Sequence, residues 1–353
     1  MINRDTSEIR PGEGFDTERL KQYLQAVLPS GGSEIEVTQF PSGNSNLTYC
    51  VRIGDSEFVL RRPPFGNQVR SAHDMWREFS VLSKLSAVYG PAPKPIAHCA
   101  DDTVIGAEFF LMERRRGLII RGRAPDFLEA STDLQFAVCE SFIRNLADLH
   151  ALDYRSAGLG DLGRPDGYVQ RQVEGWTERY FNSRTHDHFE LEAAIDWLGT
   201  NIPGTGGAAL VHNDYKFDNV MLRQENITEI AAVLDWEMAT IGDPLMDLGT
   251  ALGYWISKEA GRELLSMPFN PRVLMENVTR AELVQMYAEW SGRDVSGMLF
   301  YYVFGTIKIA VIAQQIFFRF AKGHTADRRF AEFDRFVKTL GQIAMHAIGR
   351  GTI

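Results

Sequence analysis

Cysteine is scarce in this sequence: three residues in 353, Cys50, Cys99 and Cys139, with no C-x-x-C spacing. An odd number cannot pair fully within one chain, so neither a disulfide framework nor a zinc knuckle is written here, and packing roles in a reducing compartment are expected. Histidine is also thin, at eight scattered positions. That is poor material for the His/Asp metal cluster of a phosphohydrolase. Long apolar runs are missing with one exception, Leu299 to Phe320, and Lys308, Gln314, Gln315 and Arg319 interrupt it. Those residues would be costly across a bilayer, so the run is expected to be a buried helix and no membrane partner is expected. The first eight residues lack the apolar segment of a secretory signal, which points to the cytoplasm.

Positive charge is in deficit as well, with 37 Lys and Arg against 46 Asp and Glu and a formal net charge of -9. A general nucleic-acid binder needs a basic face, so nucleic acid is excluded as a partner class. What is present is an ordinary globular composition, 44% hydrophobic and 24% charged, long enough for one large domain or two lobes. There is no internal repeat and no low-complexity tract, and nothing in the pattern specifies an oligomer.

The expected order of elements is uneven along the chain. A helix over Thr17 to Leu28 precedes short strand-like runs at Ile35 to Phe40, Leu47 to Ile53 and Glu57 to Leu60, separated by turns as in an antiparallel meander. Ser71 to Val88 has helical spacing, with Met75, Phe79, Leu82 and Leu85 on one face. Pro91, Pro93 and Pro95 break the chain, and Glu108 to Glu113 is a further strand. From Leu134 the pattern is mainly helical: Leu134 to His150, a stretch around Trp176 to Phe181, Leu191 to Leu198 and three more after Asp247. Short strand-like runs at Ala209 to His212, Val220 to Leu222 and Ile230 to Leu234 interrupt it and suggest a hairpin. The fold class is therefore α+β, with a small antiparallel-β lobe over residues 1–113 and a larger, mainly helical lobe over 114–353.

The chemistry concentrates between Val211 and Leu248. Phosphoryl transfer needs a carboxylate to orient the attacking hydroxyl and oxygen ligands to hold Mg2+ on the phosphates, and Asp214, Asn219 and Asp235 can supply these. In this segment His212-x-Asp214-x-Lys216-x-x-Asn219 resembles the catalytic loop of protein kinases, and more closely that of aminoglycoside phosphotransferases and choline kinases. Leu234-Asp235-Trp236-Glu237 and Asp243-Pro244-Leu245-Met246-Asp247-Leu248 resemble that family's next two segments in order. The resemblance spans roughly residues 35 to 320. It implies a two-lobed, protein-kinase-like fold and an enzyme that moves the γ-phosphoryl group of ATP, with GTP not excluded, onto a small-molecule hydroxyl. It also implies Asp214 as catalytic carboxylate, with Asn219 and Asp235 as Mg2+ ligands. Lys216 has two readings, a catalytic cation at the transferred phosphate or a solvated surface lysine. His212 is read as a buried loop anchor, Asp243 and Asp247 as structural carboxylates, and Glu237 as either scaffold or site.

On the nucleotide side the resemblance implies a phosphate-covering turn at Ser42, Gly43, Asn44, Ser45 and Asn46, though with a single glycine it is also an ordinary hairpin turn. Arg61 stands where kinases carry a strand lysine, and its alternatives are a surface residue or the neighbouring Arg62. Glu78 resembles the glutamate that positions this cation. Met112, Glu113 and Arg115 resemble the segment that meets adenine. Arg114, Arg115, Arg116, Arg121 and Arg123 form a basic run suited to an anionic acceptor or to a solvated linker face. Tyr168, Trp176, Tyr180, Tyr254 and Trp255 are candidates for an acceptor pocket, though aromatics at helical spacing more often pack the core. The wording around Gly43 to Tyr49 and Phe58 to Pro64 is most similar to the kinase domains attached to some acyl-CoA dehydrogenases, which implies a hydroxyacyl-CoA acceptor. An aminoglycoside is the alternative substrate, and a nucleotide-binding scaffold without transfer is the alternative function.

Overall fold

In the computed structural model, which describes residues 5–28, 34–41, 46–65, 74–204, 206–256, 272–325 and 327–353, the chain forms two units. One comprises Met1–Arg116 with Ala232–Glu237, the other Gly117–Ala231 with Met238–Ile353.

The first unit opens with helix α1 (Thr17–Val27), started by the Asp16 carboxylate accepting from the Glu18 and Arg19 amides. Strands β1 (Ile35–Gln39), β2 (Leu47–Ile53) and β3 (Ser56–Arg62) follow as an antiparallel meander. Helix α2 (Met75–Leu85) begins with Asp74 capping the Arg77 amide, later than the predicted start at Ser71, which lies outside the described residues. Strands β4 (Pro95–Cys99) and β5 (Phe109–Glu113) complete a sheet of order β1-β2-β3-β5-β4. Pro95 therefore begins a strand instead of only breaking the chain. As the first residue of an edge strand it is tolerated, because no ladder N–H is required of it there. The core lies where Leu20 and Leu24 of α1 meet Tyr49, Val51, Leu60, Phe109 and Leu111 of the sheet.

In the second unit β6 (Leu118–Ile119) leads to α3 (Asp126–Glu129), α4 (Thr132–Ala151), α5 (Tyr168–Ser183) and α6 (Phe189–Thr200). Then come β7 (Ala209–Val211), β8 (Val220–Leu222), β9 (Ile230–Val233), whose last two residues belong to the first unit, and β10 (Thr240–Gly242). Of the three runs expected to supply a hairpin, the second and third do so, β8 and β9 being neighbours in a sheet of order β6-β8-β9, with β6 antiparallel to β8, whereas β7 pairs antiparallel with the more distant β10. Three-residue strands carry too little pattern to name a distant partner. Helix α7 (Pro244–Tyr254) starts before Asp247, capped by Asp243 with Pro244 in its first turn. Four helices follow it among the described residues, against the three expected after Asp247: α8 (Arg272–Asn277), α9 (Arg280–Ser291), α10 (Met298–Ala321) and α11 (Phe333–Arg350).

Helix α10 is long and apolar enough to cross a membrane, but 78% of its most apolar window is buried within the protein. It packs against α7, α11, α5 and α6. The approach to α7 runs through glycine. A Cβ on Gly305 would lie 2.0 Å from the Gly249 carbonyl oxygen, and one on Gly249 would lie 2.1 Å from that of Tyr301. All three cysteines are buried and free.

Candidate active site

The first unit holds a buried charge cluster. Strand alternation sends Arg61 and Arg62 to opposite faces of β3, which removes the ambiguity between them. Arg62 donates to the carbonyls of Ile105 (2.8 Å) and Pro63 (3.1 Å) and stacks over Phe65, so it is a structural residue. Arg61 is 8% exposed and reaches three carboxylates: Asp235 Oδ1 at 2.8 Å, Glu78 Oε2 at 3.1 Å and Glu237 Oε2 at 3.9 Å. The contact to Glu78 is an ion pair without hydrogen-bond alignment, since neither Arg61 Nε nor Glu78 Oε2 has a hydrogen-bond partner. Burial opposes the Arg61 charge, but the three carboxylates outweigh it and raise its pKa. For Glu78 burial wins: its carboxyl is pushed up to about 7, against the lowering effect of Arg61.

Glu78 occupies the buried stripe of α2 with Met75, Val81, Leu82 and Leu85, where the sequence pattern pointed to Phe79. Its other oxygen accepts the Trp236 amide at 3.3 Å, and neighbouring Arg77 donates to the Glu237 carbonyl at 2.6 Å. Two consecutive α2 side chains thus hold the turn that carries Asp235. That turn is strained: Asp235 has φ 69°, a left-handed conformation rare outside glycine and asparagine. Asn46 donates to Glu237 Oε2 at 2.7 Å, which makes Glu237 part of the scaffold. Ser42, Gly43, Asn44 and Ser45 lie outside the described residues.

At the end of β5 Met112 is buried, and Glu113 accepts from the Lys94 amide (2.7 Å) and from Arg115 (2.7 Å). The basic run is neutralised locally. Arg114 bonds Glu57 (2.5 Å) and Asp5 (2.6 Å), and Arg116 also pairs with Glu57. In the second unit Arg123 pairs with Asp126 (3.0 Å) and Arg121 lies 3.9 Å from Asp218.

The second unit holds the loop whose residues resemble a kinase catalytic loop. After β7 the loop hangs from Asp247, whose fully buried carboxylate accepts the amides of His212 (2.6 Å) and Asn213 (2.8 Å) and faces His150 Nε2 at 3.2 Å. Burial alone would raise the Asp247 pKa, but His150, His212 and these amides bring it below the usual value. His212 is fully buried and its Nδ1 accepts the Asp214 amide at 3.2 Å, the loop-anchoring role expected for it. Asn213 takes φ 66° and is pinned by Tyr168 Oη (2.9 Å) and the Met238 carbonyl (3.0 Å). Asp243 accepts the Leu245 and Gly206 amides, both at 2.9 Å, as a structural carboxylate.

This suspension brings Asp214, Lys216 and Asn219 together. Lys216 Nζ lies 3.0 and 2.8 Å from the two Asp214 oxygens, Asn219 Nδ2 donates to Oδ2 at 2.9 Å, and Tyr254 Oη lies 3.3 Å from Oδ1. With its nitrogen on Asp214, Asn219 keeps Oδ1 as the end able to ligate a hard cation. Lys216 is no solvated lysine. Burial opposes its charge, but Tyr254 and Asp214 raise its pKa. Burial pushes the Tyr254 hydroxyl up as well, and pushes Asp218 up to about 6. Among the candidate pocket aromatics, Tyr168 and Tyr254 bond loop residues, whereas Tyr180 and Trp255 are buried and bond Glu192 and the Val278 carbonyl.

One residue of this assembly was not anticipated in that role. Lys308, 3% exposed in the middle of α10, donates to the Asn213 carbonyl and lies 5.5 Å from the centre of the Trp176 ring. Burial lowers its pKa to about 8, although Asp214 and Asp247 favour its charge. A lone lysine in an apolar run was the only signal of it.

Residues 36–285 match the model of the phosphotransferase enzyme family. Acyl-CoA dehydrogenase family member 11 of Rattus norvegicus is 34% identical over 92% of this chain, and the chain spans less than half of that relative, 42%. A Ralstonia eutropha protein assigned to the aminoglycoside phosphotransferases has a solved structure that aligns with a TM-score of 0.80 at 28% identity, over 96% of this chain and 99% of that one. Choline kinase of Cryptosporidium parvum shares the fold at a TM-score of 0.65 and 16% identity, over 95% and 96% of the two chains. With the family model covering well over half of its length, and with an α+β kinase-like fold, the chain belongs to the phosphotransferase enzyme family.

Proposed function

We propose that the chain transfers the γ-phosphoryl group of ATP, in a Mg2+-dependent reaction, to a hydroxyl of an anionic metabolite. The observation that carries this reading is the Asp214 carboxylate, suspended from Asp247 and His212 and bonded by Lys216, Asn219 and Tyr254. In the proposed reaction Asp214 orients the acceptor hydroxyl and takes its proton, while Lys216 exchanges its contact with Asp214 for the transferred phosphate. Asn219 Oδ1 and Asp235 are the oxygen donors assigned to Mg2+, which would neutralise phosphate charge when bound. Arg61, positioned by Glu78, is assigned to the nucleotide phosphates, with residues 42–46 covering them and the segment of Met112, Glu113 and Arg115 meeting adenine. Residues 1–113 are the proposed nucleotide-binding lobe and 114–353 the catalytic and substrate-binding lobe, acting in the cytoplasm.

A hydroxyacyl-CoA is the preferred acceptor, supported by the relationship to acyl-CoA dehydrogenase family members over nearly the whole chain. The basic run lends this less support than its sequence suggested, because Arg114, Arg115 and Arg116 already bond acidic neighbours. The test is mass spectrometry of hydroxyacyl-CoAs and aminoglycosides incubated with Mg·ATP and either the wild type or Asp214→Ala. A hydroxyacyl-CoA gaining one phosphate with the wild type alone supports the reading. Phosphorylation of aminoglycosides only would replace the acceptor, and nucleotide binding without transfer to any acceptor would favour a scaffold.

A further inference from the structure

The loop joining α5 to α6 carries two histidines that no phosphoryl-transfer step uses. His186 and His188 bring their Nε2 atoms to 3.2 and 3.4 Å from one oxygen, Oδ1 of Asp334, in the first turn of α11. The three atoms lie within 4.8 Å of one another. An ordinary histidine–carboxylate ion pair would aim a ring N–H at the oxygen. That alignment is absent here: His188 Nε2 and Asp334 Oδ1 are both buried and neither has a hydrogen-bond partner. His188 is 5% exposed, so the unmet polar atom sits inside the protein. Leaving such groups unsatisfied inside the protein is destabilising.

A metal ion would resolve this convergence. Ligand atoms about 2.0–2.1 Å from a tetrahedral zinc ion stand about 3.3 Å apart, which matches both histidine-to-aspartate separations. The surroundings fit the tautomer that metal binding requires. Thr185 Oγ1 lies 3.2 Å from His186 Nδ1 and accepts from Gln314 Nε2 at 3.2 Å, while the same amide holds the Ser183 carbonyl at 2.8 Å. With Nδ1–H directed to Thr185, His186 presents its Nε2 lone pair. We propose that His186, His188 and Asp334 form a three-ligand site for a borderline divalent transition cation, zinc first, which ties the α5–α6 loop to the start of α11. Two imidazoles and one carboxylate favour zinc over magnesium, whose preference is for oxygen. The exposed flank at His186 leaves a fourth position for water.

The experiment is titration of the metal-stripped chain with Co2+ and then Zn2+ in excess Mg2+, which occupies any oxygen-rich site. The expected result is one equivalent of cobalt with the visible bands of four-coordinate Co2+, its displacement by zinc, and a rise in melting temperature with zinc. His186→Asn, at an exposed position where folding is not at stake, and Asp334→Asn should each weaken binding at least tenfold. Absence of saturable binding in the wild type would overturn the proposal. Unchanged affinity in both variants would also overturn it, because the ion would then sit elsewhere.

Discussion

Lys308 is a buried ammonium on an apolar helix, and its ionisation should be visible in the stability of the whole chain. The folded side chain releases its proton near pH 8, whereas the ordinary value is 10.5. Between those values the unfolded chain binds more protons than the folded one, so stability rises with pH; below pH 8 both are protonated and the slope vanishes. A displacement of this size corresponds to about 3 kcal/mol gained across the window. Lys308→Met keeps the length and removes the charge. It also deprives the Asn213 carbonyl of its donor, a pH-independent loss of about 1–3 kcal/mol that relief of the buried charge offsets in part. The assay is urea unfolding of both proteins at several pH values from 7.5 to 10.5, taking the difference so that other titrating groups cancel. Wild-type stability should gain on the variant by about 3 kcal/mol over this range, with similar denaturant slopes. A difference that stays flat would refute the assignment of Lys308 as a buried, charged support of the loop.

The Glu78 carboxyl, pushed up to about 7 from 4.5, gives the opposite slope. The folded chain binds the extra proton there, so stability falls as pH climbs from 4.5 to 7, and Glu78→Gln should flatten that decline in thermal melts; an unchanged slope would count against the burial argument. Gly305→Ala forces a methyl against the Gly249 backbone and should cost about 1–3 kcal/mol or more in urea unfolding, whereas no change would mean that α7 and α10 separate freely. Thr279→Ala removes a reciprocal capping box at the start of α9 and should cost about 1 kcal/mol by the same measurement.

The convergence of the loop proposed as catalytic was legible because its residues are contiguous: His212, Asp214, Lys216 and Asn219 sit within eight positions, and local spacing alone brings them near one another. Its suspension was less legible. Asp247 reads as a structural carboxylate from its neighbours, but Lys308 comes from 95 positions beyond Asn213, and nothing local names its partner. Glu78 is an instructive case. The helical pattern pointed to Phe79 as the buried residue, since an apolar side chain is the default, and a carboxylate takes a core position only when its oxygens are met, here by the Arg61 charge and the Trp236 amide. The strand at Pro95 and the pairing of β7 with β10 escaped for a different reason. Both depend on non-local hydrogen bonds between short segments, which leave little periodicity to read.

The most direct test of the account is a comparison of wild type and Asp214→Asn in turnover and in nucleotide affinity, with ATP and an accepted hydroxyl substrate. The account predicts that kcat falls by about 10²–10⁴, the usual contribution of a general base, while the dissociation constant for ATP barely changes. Transfer at the wild-type rate in Asp214→Asn would contradict it.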